Sequence, residues 1–349
     1  MKKIIKTLII AVIITVFMFN VNQNVKADYS VYEVVIDQDS GRVLHSQNEN
    51  EKRSMASTTK IVTCITVIDN FDLNTELKIK KEWTGIEGSS IYLQEGMVYT
   101  VRDLLYGLML RSGNDAACAL ANGLAGSINE FCVLMNQTAE KAGAKNSAFS
   151  NPHGLDDENH YTTAYDLALI TRYAMQNNTF CEIVSTKKYI ASDGQNKHVW
   201  YNKNKMLNEY GYATGVKTGY TKKAGRCLVS SASKNGFNLI CVVLDCGPMF
   251  ERSKELLNIA YEKYSRVKLA SCDQSVCDVQ TNNGKVLPAY LKKDIFYPLT
   301  KEELKDISFS IKIYDKSQIK PKFAEECGTI KIFIKKQLLF VEKIYTILR

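Results

Sequence analysis

Three short motifs combine residue types that could carry out acyl transfer. They are Ser57-Thr58-Thr59-Lys60, Ser112-Gly113-Asn114 and Lys217-Thr218-Gly219, in that order along the chain. The first pairs a serine that could act as a nucleophile with a lysine that could act as its base. The second offers another hydroxyl that could handle a proton, and the third offers a cation that could bind a carboxylate.

The spacing of the first motif suits this chemistry. Residues three apart share one face of a helix, so we expect Ser57 and Lys60 within hydrogen-bond reach. A free lysine is protonated at neutral pH, but burial and a second cation lower its pKa, and Lys217 is the candidate for that cation. Near a helix N-terminus, Ser57 would also gain from the helix dipole. Taken alone, the motif could equally be a capping serine beside a surface lysine.

The order of the motifs removes this ambiguity. Ser-x-x-Lys occurs five times, beginning at Ser57, Ser185, Ser231, Ser265 and Ser317. Ser-x-Asn occurs four times, at Ser46, Ser112, Ser127 and Ser233, and Lys-Thr-Gly occurs once, at Lys217. Only Ser57 can begin the order Ser-x-x-Lys, Ser-x-Asn, Lys-Thr-Gly, with Ser112 or Ser127 supplying the second motif.

This ordered triplet is the signature of serine β-lactamases and penicillin-binding proteins. From about Tyr29 to its end, the chain resembles the low-molecular-mass penicillin-binding proteins, which are serine-type D-alanyl-D-alanine carboxypeptidases. The segments that carry the resemblance are Asp37–Leu44, Met55–Lys60, Leu110–Ala117, Asn151–Leu155 and Thr214–Thr221.

The resemblance implies an α+β fold. We expect a penicillin-binding/β-lactamase-like transpeptidase domain, an antiparallel sheet with helices on both faces, followed by a small all-β C-terminal domain. The predicted boundaries are 1–27 for a signal peptide, 28–265 for the catalytic domain and 266–349 for the β-rich domain.

The resemblance also implies roles for individual residues. Ser57 would be the nucleophile that forms the acyl-ester, Lys60 the general base and Ser112 the proton relay. The substrate would be a peptidoglycan stem peptide, and β-lactam antibiotics would be inhibitors. The residues expected to bind substrate are Asn114, Lys217, Thr218, Gly219 and Tyr220, the last with Ser57 through the backbone N–H groups of an oxyanion hole.

Two further residues have side chains that suit such a site. Arg252 is a candidate for a second carboxylate ligand, and a surface arginine is the alternative. His153, in an Asn-Pro-His-Gly turn, is interpreted as structural, because a Ser/Lys apparatus needs no histidine base.

The N-terminus predicts export. Lys2, Lys3 and Lys6 precede an uncharged apolar run, Thr7–Phe19, and Val25-Lys26-Ala27 is a small-x-small cleavage site. An uncleaved anchor is the alternative, but the run is shorter than the ~20 residues that a membrane span needs. We therefore expect an extracytoplasmic enzyme, in the cell wall or on the outer face of the cytoplasmic membrane.

Charge is unevenly distributed. The full chain carries +8, whereas the segment from Arg266 onward holds 16 basic and 10 acidic residues and the segment from Asp28 to Ser265 carries −2. A basic C-terminal module could contact an anionic cell surface, with a merely soluble face as the alternative. Nucleic acid is not expected as a partner. The chain stops at Arg349 without room for a terminal amphipathic helix, so a C-terminal membrane anchor is not expected.

Cysteine and histidine do not predict a metal site. Of ten cysteines, most lie in apolar segments, where a free thiol behaves as a small hydrophobic group. Only Cys272 and Cys277 have the spacing of a local disulfide. The four histidines are scattered, and no cofactor is expected.

The periodicity of apolar residues predicts which helices and strands carry the motifs. Alternation predicts a hairpin from Tyr32 to Ser46, strands near Arg226–Ser231 and Phe237–Leu244, and a closing hairpin over 330–344. Thr58–Ile68 is rich in β-branched residues and reads as a strand by propensity, whereas the resemblance predicts a buried helix. Further helices are predicted over Thr100–Arg111, Asp115–Ala125, Ile128–Gly143, Thr162–Asn177 and Glu251–Tyr264.

Two alternatives remain for function. One is a serine β-lactamase, which also needs a glutamate in a Glu-x-x-Leu-Asn segment, and no such segment occurs between Ser112 and Lys217. The other is a non-catalytic cell-wall-binding protein, which a missing motif residue would favour, and no motif residue is missing.

Overall fold

A computed structural model of the chain describes residues 31–315, 317, 319–320 and 324–346. The predicted signal peptide therefore lies outside the described residues.

The first part of the described chain alternates helices and strands. Its strands are β1 (Tyr32–Asp37), β2 (Val43–Gln47), β3 (Glu76–Lys78), β4 (Val98–Thr100), β5 (Lys188–Ser192), β6 (Lys197–Tyr201), β7 (Ala213–Thr221), β8 (Gly225–Lys234) and β9 (Phe237–Leu244). Its helices are α1 (Lys60–Asn70), α2 (Val101–Tyr106), α3 (Asn114–Ala125), α4 (Ile128–Lys141), α5 (Ala164–Ala174), α6 (Asn178–Ser185), α7 (Met206–Glu209) and α8 (Met249–Lys263).

One antiparallel sheet with helices on both faces organises this part, as predicted. Its strand order is β2-β1-β9-β8-β7, so β7 is an edge strand. Side chains alternate across the sheet: Val34 packs with α1 and its neighbouring helices, whereas Val35 packs with α8 on the opposite face. The larger apolar core therefore lies between the sheet and α1.

Residues Lys60–Asn70 form the helix α1 that the family resemblance predicts, and not the strand that intrinsic propensity predicts. Its first eight residues, Lys60–Val67, are all buried. Their β-branched side chains lower the intrinsic helix propensity, but burial in the core outweighs that cost. The other predicted helices and strands of this part are present with boundaries shifted by a few residues.

The remainder of the described chain is all-β apart from one short 3₁₀ turn. Its strands are β10 (Ser265–Ala270), β11 (Cys277–Gln280), β12 (Val286–Tyr290), β13 (Ile295–Leu299), β14 (Ile307–Ile313), β15 (Glu325–Ile334) and β16 (Gln337–Thr346). Strands β10 and β13 pair with each other, and the others form a sheet in the order β11-β12-β16-β15-β14. The predicted closing hairpin is confirmed as β15–β16.

All ten cysteines are free, so the disulfide for which Cys272 and Cys277 are spaced is absent. By length and composition, no single helix in the described part of the chain could cross a membrane, and only the bent pair α3–α4, which meets at 93°, passes that test.

Candidate active site

The first motif forms a tight turn that leads into α1. Residues Ala56–Thr59 make one 3₁₀ turn, and Ala56 has a positive φ of 50°. The Thr59 hydroxyl donates to the Ala56 carbonyl at 2.8 Å. This turn presents Ser57 at the start of the helix, where it remains partly exposed.

Lys60 lies directly beneath Ser57 and is fully buried. Its Nζ is 2.9 Å from Ser57 Oγ, and it donates to Asn114 Oδ1 at 2.7 Å and to the His153 carbonyl at 2.5 Å. Burial, and then the charge of Lys217, lower the pKa of Lys60 well below its ordinary value. The structure thus provides the environment that a neutral lysine base requires.

The second motif joins α2 to α3. After α2 the chain continues as a π turn, Gly107–Arg111, and Ser112 ends it in the left-handed region with φ 65°. Ser112 and Asn114 are both buried. The amide of Asn114 is engaged on both sides, because Oδ1 accepts from Lys60 and Nδ2 donates to the Glu87 carbonyl.

The third motif lies on the edge strand β7. Lys217 is 2% exposed, and burial, followed by the charge of Lys203, lowers its pKa to about 7. Its Nζ donates to the Thr218 carbonyl at 2.8 Å. Gly219 packs on the nucleophile turn so closely that a Cβ there would lie 3.0 Å from the Ser57 nitrogen. Tyr220, next along the strand, has an exposed ring.

The structure does not bring Arg252 to this site. Its guanidinium donates to both carboxylate oxygens of Glu33, at 2.9 and 2.6 Å, and to Glu255 at 2.8 Å. Glu33 is fully buried, and its carboxylate requires a counterion there. Because Glu33 and Val35 point to the α8 face of β1, Arg252 lies across the sheet from Ser57, which corrects its predicted role as a carboxylate ligand.

Sequence reasoning missed three contributors to the site. Asp115 accepts from the backbone N–H groups of Ile91 and Leu93 and so fixes the loop beside Asn114. Lys203 donates to Ser89 in the same loop at 3.3 Å and lowers the pKa of Lys217. His153 contributes its carbonyl rather than its ring. Adjacency to Asn114 could have indicated Asp115, but no local pattern marks Lys203.

Among the described residues, no group of three or more His, Cys, Asp or Glu side chains could hold a metal ion.

Comparison with known proteins gives two family matches. Residues 20–247 match the Peptidase S11 family, described as D-alanyl-D-alanine carboxypeptidase. Residues 264–347 match the penicillin-binding protein 5 C-terminal domain.

Individual relatives agree with these matches. The chain is 30% identical to D-alanyl-D-alanine carboxypeptidase DacF of Bacillus subtilis, over 95% of this chain and 90% of DacF. Penicillin-binding protein 5 of Haemophilus influenzae has a similar structure, with a TM-score of 0.75, 25% identity and coverage of 90% of this chain and 96% of that one. The D-alanyl-D-alanine carboxypeptidase DacD of Francisella tularensis also has a similar structure, with a TM-score of 0.70, 26% identity and coverage of 93% of this chain and 94% of that one.

Two family models in tandem, relatives aligned over almost their whole length and a matching fold lead to one conclusion: the chain belongs to the S11 family of serine D-alanyl-D-alanine carboxypeptidases, with a C-terminal domain of the penicillin-binding protein 5 type.

Proposed function

We propose that this carboxypeptidase removes the terminal D-alanine from peptidoglycan stem pentapeptides through an acyl-enzyme on Ser57. The observation that carries the proposal is the contact of 2.9 Å between Ser57 Oγ and the Nζ of the fully buried Lys60. A lysine whose pKa is lowered by burial can take the proton of an adjacent serine hydroxyl and so activate that serine as a nucleophile.

The contacts of Lys60 support its role as the base. A neutral amine has two N–H bonds and one lone pair. Asn114 Oδ1 and the His153 carbonyl accept two hydrogen bonds from Nζ, so the lone pair remains for the Ser57 hydroxyl. This arrangement orients the amine to receive the serine proton.

The proposed reaction has two stages. Ser57 Oγ bonds to the carbonyl carbon of the penultimate D-alanine while its proton passes to Lys60, and the N–H groups of Ser57 and Tyr220 stabilise the oxyanion. The peptide C–N bond then breaks as Ser112 relays a proton to the departing amine. Water hydrolyses the ester in the second stage and restores the Ser57 hydroxyl.

Substrate binding is assigned to the third motif and to Asn114. Protonated Lys217 and the Thr218 hydroxyl would bind the terminal carboxylate, and Gly219 lets the strand that carries Tyr220 approach Ser57. Asn114 would hold Lys60 and offer the second lone pair of Oδ1 to a substrate N–H.

The finer aspects of location are also proposals. The apolar run Thr7–Phe19 and the cleavage site at Ala27 support export of a mature chain that begins at Asp28. The net charge of +6 from Arg266 onward supports a peripheral contact with the anionic cell wall or membrane surface.

Labelled penicillin tests the nucleophile. We expect one adduct, mapped by mass spectrometry to Ser57 and lost in Ser57→Ala. The chain offers a matched control in Ser185, the first residue of another Ser-x-x-Lys, whose hydroxyl instead donates to the Cys181 carbonyl; Ser185→Ala should label normally. An adduct on any serine other than Ser57 would refute the proposal.

Amidated peptides test the substrate. A charge-assisted hydrogen bond contributes about 1.5–3 kcal/mol, so amidating the terminal carboxylate of a D-Ala-D-Ala peptide should lower kcat/KM by about one to two powers of ten. Equal cleavage of both peptides would indicate an endopeptidase or esterase. Rapid turnover of penicillin would instead favour the β-lactamase, and absence of any adduct the wall-binding protein.

A further inference from the structure

His160 is a buried histidine to which the catalytic scheme assigns no role. It lies in the segment after the Asn-Pro-His-Gly turn and is 3% exposed. Its Nδ1 accepts a hydrogen bond from the backbone N–H of Ser150 at 3.1 Å, and its Nε2 lies 2.7 Å from Thr59 Oγ1.

These contacts determine the tautomer. A backbone N–H can only donate, so Nδ1 must be unprotonated, and the ring proton of the neutral imidazole lies on Nε2. Nε2–H therefore donates to Thr59 Oγ1. The Thr59 hydroxyl in turn donates to the Ala56 carbonyl at 2.8 Å, so a directed chain of hydrogen bonds runs from Ser150 through His160 and Thr59 to Ala56.

The chain ends at the residue that sets the direction of Ser57. Ala56 precedes Ser57 and has a φ of 50°, in a region that costs a non-glycine residue about 1–2 kcal/mol. Such a conformation persists only where the surroundings hold it. The same carbonyl is covered by Gly154, where a Cβ would lie 2.0 Å from the Ala56 oxygen.

We propose that His160 is a positioning residue for acylation, which acts through Thr59 to hold the Ala56 carbonyl and thereby keeps Ser57 in line with Lys60. The inference deepens the proposed function, since it rests on Ser57 as the nucleophile.

The ionisation state of His160 fits this role. Burial lowers its pKa to about 4, and the charge of Lys60 acts in the same direction against the opposing effect of Asp157. The ring is therefore neutral at physiological pH, as the acceptor at Nδ1 requires.

A double-mutant cycle on the full mature chain tests the inference. The single variants are His160→Leu, which removes both polar contacts, and Thr59→Val, which removes the hydroxyl at nearly constant volume. A fluorescent penicillin reports the limiting acylation rate at saturation and the half-saturating concentration, and thermal unfolding reports stability.

We expect each single variant to acylate about tenfold to a hundredfold more slowly at saturation, since small displacements of reacting groups have effects of this size. The half-saturating concentration should change little, and the adduct should remain on Ser57. Because both residues act through one chain, the double variant should be no slower than the slower single variant.

Two further variants separate positioning from folding. His160→Gln places an amide N–H near the position of Nε2 and should recover most of the acylation rate. His198→Gln alters a histidine that instead contacts Asp193, and it should leave acylation unchanged whatever its effect on thermal stability. If His160→Leu does not fold, Thr59→Val still breaks the same chain of hydrogen bonds and tests the inference by itself.

Wild-type acylation by folded His160→Leu or by Thr59→Val would overturn the inference, as would losses that multiply in the double variant. Such a result with the adduct still on Ser57 would leave the proposed function intact. An adduct on another serine in the wild-type chain would refute the proposed function first.

Discussion

At the scale of single residues, Lys60 combines complete burial with three polar contacts, to Ser57, Asn114 and the His153 carbonyl. Each contact orients the amine, and burial with the charge of Lys217 favours its neutral form. The proposed base is therefore prepared before substrate binds.

Replacing Lys60 by arginine should abolish the base while retaining a cation. A guanidinium does not deprotonate at usable pH, so we expect acylation by penicillin to fall by several powers of ten, about the loss expected when both base and geometry are removed. Stopped-flow measurement of acylation tests this. The matched control is Lys188→Arg, in the Ser-x-x-Lys motif that begins at Ser185. Near-normal acylation by Lys60→Arg would mean that another base serves Ser57.

Lys203 should set the pH range of the reaction. Lys60 works as a base only when neutral, so activity rises with pH through its pKa, whereas Lys217 binds a carboxylate only when protonated, so recognition is lost as pH rises through about 7. The charge of Lys203 lowers the pKa of both lysines. Lys203→Met should therefore move both limbs of the kcat/KM profile to higher pH.

The control for this profile is Lys205→Met, an exposed lysine two positions further on. A profile for Lys203→Met that coincides with the wild-type profile would show that Lys203 has no electrostatic effect on the site.

At the scale of elements, two segments pack closely against the nucleophile turn. Edge strand β7 approaches it at Gly219, and the turn at His153–Gly154 covers the Ala56 carbonyl. The catalytic geometry thus depends on close backbone packing, because a Cβ would collide with the Ala56 carbonyl at Gly154 and would be crowded by the Ser57 nitrogen at Gly219.

Comparing Gly154→Ala with Gly143→Ala should separate the effect of this packing from the effect of backbone strain. Gly154 and Gly143 have nearly equal positive φ values, 90° and 91°, but a Cβ would lie 2.0 Å from the Ala56 oxygen at Gly154 and 3.9 Å from its nearest neighbour, Leu169 Cδ1, at Gly143. We expect Gly143→Ala to cost about 1–2 kcal/mol of unfolding free energy with normal acylation. Gly154→Ala should cost more and also slow acylation, and equal effects of the two substitutions on unfolding and acylation would contradict this packing argument.

At the scale of the whole molecule, Arg42 joins the catalytic part to the β-rich part. Its guanidinium donates to the Pro298 carbonyl at 2.5 Å, pairs with Glu303 and lies about 5 Å from the ring centroids of Tyr264 and Tyr297. Most of its side chain is buried. One arginine on the first hairpin therefore contacts both sides of the domain junction.

Arg42→Ala should loosen this junction. Loss of charge-assisted hydrogen bonds at a largely buried arginine should lower the free energy of unfolding by about 1–3 kcal/mol, measured by urea denaturation, and should expose the chain near Ser265 to protease. Lys343→Ala is the control, because its ion pair with Glu326 is exposed and should contribute less than about 1 kcal/mol. Equal losses of unfolding free energy in the two variants would show that Arg42 does not stabilise the domain junction.

Salt should release the mature enzyme from cell envelopes if charge alone holds it there. Electrostatic attraction is screened as the Debye length falls from ~8 Å at physiological salt to ~3 Å at 1 M. We expect a high-salt wash to release a chain that begins at Asp28. Retention until detergent is added would instead indicate an apolar anchor.

Residue order was enough to predict the fold class, the family and the proximity of Ser57 to Lys60. Only Ser57 can begin the ordered set of motifs. Ser57 and Lys60 are neighbours on one helical turn, so their contact needs no long-range information. The hairpins β1–β2 and β15–β16 were predictable for a similar reason, because each joins segments that are adjacent in the chain.

Contacts between distant residues depended on the fold. Glu33 and Arg252 are separated by 219 positions, and Lys60 and His153 by 93. No local pattern shows that a buried carboxylate on β1 needs Arg252 as its counterion, or that Lys60 is held by a carbonyl. The partner of a buried polar side chain depends on which elements pack face to face. Buried polar groups are therefore paired over the whole molecule rather than within any one segment.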